Sequence, residues 1–132
     1  MEVSTKHSVL VVDDELLIRD LLYDFFQERS WDVTVTGSAE KALQQIEARN
    51  FDVLLTDLKM PEMDGSDLID KVRAHRPNMP VIVITGYPSI ESAVRSLRQK
   101  VDDYVTKPFN VTKLFKAVEA TVTNAQDNAK RE

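Results

Sequence analysis

Apolar and polar positions along this chain alternate between two periods. Short runs of β-branched and aliphatic residues read as buried strands, and the stretches between them repeat apolar side chains at spacings of three and four, as amphipathic helices do. The alternation occurs five times, which predicts a parallel sheet covered by helices. The first strand is expected at residues 8–13 and the first helix at about 16–29, where Ile18, Leu21, Leu22, Phe25 and Phe26 form a stripe assigned to the core. The second strand spans about 32–36. A second helix over 39–49 follows, capped by Ser38, with Ala42, Leu43 and Ile46 inward. The third strand is the run Val53-Leu54-Leu55-Thr56 ending at Asp57, and a loop closed by Pro61 and Gly65 leads to a third helix at roughly 65–74, which Asp64 or Ser66 could cap.

The fourth strand, 81–85, is almost free of polar residues and should lie inside the sheet with helices on both faces. A fourth helix is predicted at about 89–99, and a fifth strand at 103–106, stopped by Pro108, which cannot donate to a ladder. The last helix runs from a cap at Asn110 to about Asn124, with Val111, Leu114, Phe115, Val118 and Val122 on one face. The expected division is an N-terminal extension 1–7, a domain 8–125, and a polar tail or linker 126–132 that frays.

Length fits a single domain of 132 residues. No cysteine is present, so disulfides and thiolate metal sites are excluded, in keeping with a reducing cytoplasm. No apolar run approaches the roughly 20 residues of a membrane span, and no secretory signal core is visible. A net charge of −5 disfavours direct binding to nucleic acid. A soluble cytoplasmic protein is expected.

The chemistry gathers at strand ends. The first strand runs into Asp13-Asp14-Glu15, the third into Asp57, the fourth into Thr85-Gly86 and the fifth into Lys107-Pro108. In a parallel sheet these residues share one rim, where α/β proteins place their chemistry. Clustered carboxylates repel and call for a counter-charge. Oxygen ligands from Asp13, Asp14 and Asp57 with a loop carbonyl suit magnesium, which often shares its site with a phosphate. A carboxylate there can act as a nucleophile on phosphorus, with Lys107 and Thr85 meeting the transferred oxygens. Taken singly, each motif has an ordinary structural explanation: an acid pair as helix cap, Lys-Pro as turn, Thr-Gly as strand end. The ordered set is far more specific than its members.

Val11-Val12-Asp13-Asp14-Glu15, Thr56-Asp57-Leu58-Lys59-Met60-Pro61-Glu62-Met63-Asp64-Gly65, Ile84-Thr85-Gly86 and Asp103-Tyr104-Val105-Thr106-Lys107-Pro108-Phe109 together resemble the receiver domain of two-component response regulators, over residues 8 to about 124. The resemblance implies a doubly wound (βα)5 flavodoxin-like fold with strand order 2-1-3-4-5, a chemotaxis receiver being a standard instance of that order. It further implies that Asp57 is the phospho-acceptor, served by a sensor histidine kinase or phosphotransfer protein. Asp13, Asp14, Asp57 and the Lys59 carbonyl would hold Mg2+, and Thr85 and Lys107 would contact the phosphoryl oxygens. A switch is implied as well, in which Thr85 moves toward the phosphoryl group, Tyr104 turns inward, and the surface of helix four, strand five and helix five changes partner. The ordinary alternative for Tyr104 is packing on helix four. His7 and His75 read as surface residues away from the rim.

Two positions depart from the family's pattern. Lys100 and Val101 stand where receivers usually have Gly-Ala, and lysine lacks glycine's freedom to end a helix in the left-handed conformation, so helix four is expected to end differently. Val101 adds bulk near the switch. Lys59 and Tyr87 occupy positions that in receivers tune hydrolysis of the acyl phosphate.

A dehalogenase-type phosphatase would need an aspartate two residues after the nucleophile, where Lys59 stands. A flavodoxin-like flavin carrier would need a hydroxyl-rich phosphate loop in place of Asp13-Asp14-Glu15. An interaction module that is never phosphorylated would not require the whole pocket. The segment Thr85-Gly86-Tyr87-Pro88-Ser89-Ile90-Glu91-Ser92-Ala93-Val94 is similar to receivers that precede sigma-54-dependent activators, so a C-terminal output domain beyond this chain is one expectation and a stand-alone receiver the other. Helix one and the loop after strand five are the expected kinase-docking surface, and phosphorylation-dependent dimerisation through helix four, strand five and helix five is a further implication.

Overall fold

The computed structural model describes residues 6–131. Residues 1–5 of the expected N-terminal extension, and residue 132, lie outside the described residues. Ten elements alternate: β1 (Ser8–Val12), α1 (Leu16–Gln27), β2 (Asp32–Thr36), α2 (Ala39–Ala48), β3 (Val53–Thr56), α3 (Gly65–His75), β4 (Val81–Thr85), α4 (Ile90–Arg98), β5 (Asp103–Thr106) and α5 (Val111–Arg131). All neighbouring strands are parallel, in the order β2-β1-β3-β4-β5 that the resemblance implied.

Because side chains alternate across a strand, the interior strands feed two cores. Leu10, Val12, Leu54, Val81 and Val83 meet α2 and α3 through Ile46, Leu68, Ile69 and Val72. Val9, Val11, Leu55, Ile82 and Ile84 meet α1 and α5 through Leu22, Phe26, Leu114 and Val118. Each such aliphatic side chain, withdrawn fully from water, contributes about 1.5–3 kcal/mol before conformational entropy is charged against it. The backbone therefore has little freedom where β1, β3 and β4 end, and those ends carry the site. The ladder continues one residue past β1, β3 and β5: Asp13 N–H donates to the Thr36 carbonyl, Asp57 N–H to that of Val12, and Lys107 N–H to that of Thr85, at 2.8–3.1 Å.

Three helix starts carry side-chain caps, those at Ser38 and Asn110 as expected. The side chains of Ser38 and Asn110 accept from Lys41 and Lys113 N–H, and Ser89 caps α4 in a reciprocal capping box with Ser92. At α3 the expectation fails. Asp64 occupies the cap position without a side-chain bond and Ser66 is buried inside the first turn, while the Asp64 carbonyl accepts from Leu68 N–H. Gly65 is required there by close approach, since a Cβ would overlap the Asp57 carbonyl oxygen.

Three other expectations are corrected. Leu21 lies on the edge of the α1 stripe and is 43% exposed, outside the core. α5 runs on to Arg131 instead of stopping near Asn124, because the stretch from Ala125 to Arg131 contains good helix formers and neither glycine nor proline. Finally, α4 closes as a helix with glycine would. Lys100 takes the left-handed conformation at φ 58°, its N–H bonds to the Leu97 carbonyl, and Val101 N–H bonds to that of Ser96. The conformation costs a lysine about 1–2 kcal/mol. It is held from outside: the Arg73 guanidinium donates to the carbonyls of Gln99 at 2.8 Å and Lys100 at 3.1 Å, and to that of Met79 at 2.6 Å.

Candidate functional site

Asp57, the first residue after β3, is only 4% exposed. Its Oδ1 accepts from Leu58 N–H at 2.7 Å and Lys59 N–H at 3.3 Å, and its Oδ2 accepts from the Lys107 ammonium at 2.9 Å. Those bonds orient the carboxylate at the rim. Asp13, at the end of β1, is buried, with Oδ1 accepting from Glu15 N–H and Oδ2 lying 2.7 Å from Lys107 Nζ. Asp14 is exposed. One carboxylate oxygen from each of Asp13, Asp14 and Asp57 lies within 4.8 Å of the others. An all-oxygen donor set of that charge fits a hard divalent cation, and magnesium takes such ligands.

The electrostatics are those of a crowded acidic cluster held by one cation. Burial raises the Asp13 carboxyl above its ordinary value; the bonds from Lys107 and from Glu15 N–H work against this, and the charge of Asp57 adds to it. Burial opposes the charged form of Lys107, but its bonds to Asp13, Glu15 and Asp57 outweigh that cost and hold it above the ordinary lysine range. Lys107 therefore stays protonated at neutral pH. The peptide joining it to Pro108 is cis.

Thr85 ends β4 fully buried, and its Oγ1 accepts from Tyr87 N–H at 3.0 Å. It stands at the same rim without bonding Asp57. Tyr104 is half-buried against the α2/α3 core, and its hydroxyl lies 2.6 Å from Ser92 Oγ of α4. Lys59 directs its N–H to Asp57, and beside it a groove of about 210 Å3 is lined by Leu58, Tyr87 and Ser92 among others. His75 is exposed; His7 packs on Trp31 near Asp52, away from the rim.

Sequence reasoning left Glu15 without a role, yet its Oε1 lies 2.9 Å from Lys107 Nζ. The acid run Asp13-Asp14-Glu15 was the available signal. It also left out Arg19, whose Nη1 donates to the Asp13 carbonyl at 2.8 Å, and Ser92; neither has a mark in the sequence.

The family model for the response regulator receiver domain matches residues 9–119. The chain belongs to this family. Over 117 residues it is 33% identical to the transcriptional regulatory protein ZraR of Escherichia coli K12, covering 89% of this chain and 26% of that protein. Among solved structures it superposes with a TM-score of 0.91 on a CheY-like response regulator receiver domain protein from Methanospirillum hungatei, 31% identical, covering 94% of this chain and 99% of that one. The response regulator TrrA of Thermotoga maritima, solved in complex with Mg(2+)-BeF, gives a TM-score of 0.79 at 30% identity, covering 87% of this receiver and 98% of that chain. The receiver spans about a quarter to a half of the length of the curated relatives it matches. Receivers are signalling domains of two-component systems, and phosphorylation with Mg2+ is the family's mechanism. No helix among the described residues is long and apolar enough to cross a membrane.

Proposed function

We propose that this receiver accepts a phosphoryl group on Asp57 from a phosphohistidine of a sensor histidine kinase or phosphotransfer protein. The observation that carries the reading is the Lys107 ammonium seated 2.9 Å from Asp57 Oδ2 and 2.7 Å from Asp13 Oδ2, within a trio of converging carboxylates. Asp13, Asp14, Asp57 and the Lys59 carbonyl would hold Mg2+, and when bound it supplies charge neutralisation for the phosphoryl oxygens. A carboxylate oxygen of Asp57 attacks phosphorus, the P–N bond to imidazole breaks, and an acyl phosphate forms. Lys107 then trades its hold on the carboxylate for one on a phosphoryl oxygen. The Thr85 hydroxyl donates its proton to another phosphoryl oxygen, and its movement toward that oxygen draws Oγ1 away from the Tyr87 N–H it accepts from in the loop before α4.

The switch would reach the surface through α4. Of its residues only Ser96 is fully buried, and Ile90 and Leu97 are 85% and 74% exposed, so α4 can be displaced at little cost in core packing. Tyr104 would leave Ser92 and turn inward as α4 moves. The α4, β5 and α5 face is then the contact for an output domain, which could be transcriptional, or for a second phosphorylated copy. The exposed Leu16, Leu17 and Leu21 of α1 suit docking on the kinase helices. This phosphotransfer would take place in the cytoplasm, and the only chemistry of the domain itself would be acceptance and slow self-hydrolysis of the phosphoryl group. Beryllofluoride with Mg2+ tests the site: a protein-bound 19F resonance is expected, with amide shifts at Asp57, Thr85 and Tyr104. Free fluoride signals alone at saturating Mg2+ would contradict it.

A further inference from the structure

Two of the three converging carboxylates sit on consecutive residues, so the peptide between Asp13 and Asp14 decides where the second one points. That peptide is planar, so fixing its carbonyl fixes the N and Cα of Asp14 and thus the place from which its side chain departs. The sheet holds Asp13 from one side, through its N–H to the Thr36 carbonyl at 3.1 Å. Arg19 holds the other: its Nη1 donates to the Asp13 carbonyl at 2.8 Å. Among the described residues Arg19 makes no ion pair, so this carbonyl is where its guanidinium is committed.

The Arg19 guanidinium passes against Gly37, where a Cβ would lie 2.5 Å from Nη1 and 3.3 Å from Cζ. Gly37 has no positive φ to account for it. It leaves clearance for the guanidinium, and a Cβ there would make Nη1, the flexible end of the arginine, shift from its present place on the Asp13 carbonyl.

We propose that Arg19 is a positioning residue of the receiver site, locking the Asp13–Asp14 peptide so that both carboxylates face Asp57, and that Gly37 is the gap through which it reaches. The inference rests on the reading that these carboxylates hold Mg2+. Groups that orient metal ligands from behind typically change metal affinity by about 10–100-fold when removed. A single bond to a backbone carbonyl belongs at the lower end.

The test is an Mg2+ titration followed by amide NMR, on the parent, Arg19→Ala, Arg19→Lys, Gly37→Ala and the Arg19→Ala/Gly37→Ala double variant, with thermal melts of each. Arg19→Ala should raise the Mg2+ dissociation constant about tenfold. Gly37→Ala should raise it in the same direction by a smaller factor although Arg19 is intact, and Arg19→Lys should recover part of the loss. The double variant should be no worse than Arg19→Ala alone, because Gly37 acts only through Arg19. Unchanged affinity in Arg19→Ala, or additive losses in the double variant, would overturn the proposal. If Arg19→Ala melts early, Gly37→Ala still decides it. A parent that shows no Mg2+-dependent shifts would instead sink the reading of the site itself, and this inference with it.

Discussion

Lys107 Nζ lies 2.9 Å from Asp57 Oδ2 and 2.7 Å from Asp13 Oδ2, so the residue after β5 neutralises the ends of both β1 and β3. The ammonium is 11% exposed and the two carboxylates are 5% and 3% exposed. Removing the one cation leaves the carboxylates buried without compensation. Lys107→Ala should therefore lower stability by about 3 kcal/mol in metal-free buffer, and by less at saturating Mg2+. Urea unfolding with and without Mg2+ checks both halves; equal losses in the two conditions would mean that Lys107 and the metal do not share one cluster.

Asp13 gives the opposite result. Burial raises its carboxyl, helped by the charge of Asp57, so ionising it in the folded protein costs stability that returns as pH falls through the raised value toward 3.8. Asp13→Asn should raise the melting temperature in metal-free buffer at pH 7 by about 2–4 °C and abolish the further rise that Mg2+ gives the parent. A variant that melts below the parent without metal would show that its bond to Lys107 outweighs the burial cost.

Asp70 titrates in the other direction. Gln99 Nε2 and then Arg95 hold its carboxyl below 3.8, each with a bond of 2.8 Å, so its contribution is fully present above 3.8 and lost as pH falls through the lowered value. Its side chain is 57% exposed, which weakens the effect. Asp70→Asn should lower the melting temperature at pH 7 by about 1–2 °C, and the gap should close as the melts are repeated toward pH 3. A gap that is constant with pH would assign the loss to packing.

Lys100→Gly should stabilise the domain. Relief of the left-handed strain is set against the greater freedom of glycine in the unfolded chain, leaving a gain of about 0.5–1 kcal/mol. Chemical denaturation reads it directly. A loss would mean that the lysine side chain contributes more than its backbone strain costs.

Position 100 also shows where sequence reasoning ran short. The strands and the rim residues were legible because buried parallel strands are written in aliphatic runs, and a strand's end is marked by its first polar side chain; the strand order came from the resemblance to receivers alone. Lys100 was misjudged because the carbonyls that hold its turn are bonded by Arg73, at the far end of α3, a long-range partner that no local pattern carries. Arg19 escaped for the same reason. Leu21 and the length of α5 were errors of a stripe's edge and of a missing stop signal, where periodicity constrains least.

If Asp57 becomes an acyl phosphate, intact mass after incubation with acetyl phosphate will show a gain of one phosphoryl group that requires Mg2+ and is absent in Asp57→Asn. An unmodified parent under conditions that yield the beryllofluoride adduct, or the same gain in Asp57→Asn, would contradict it.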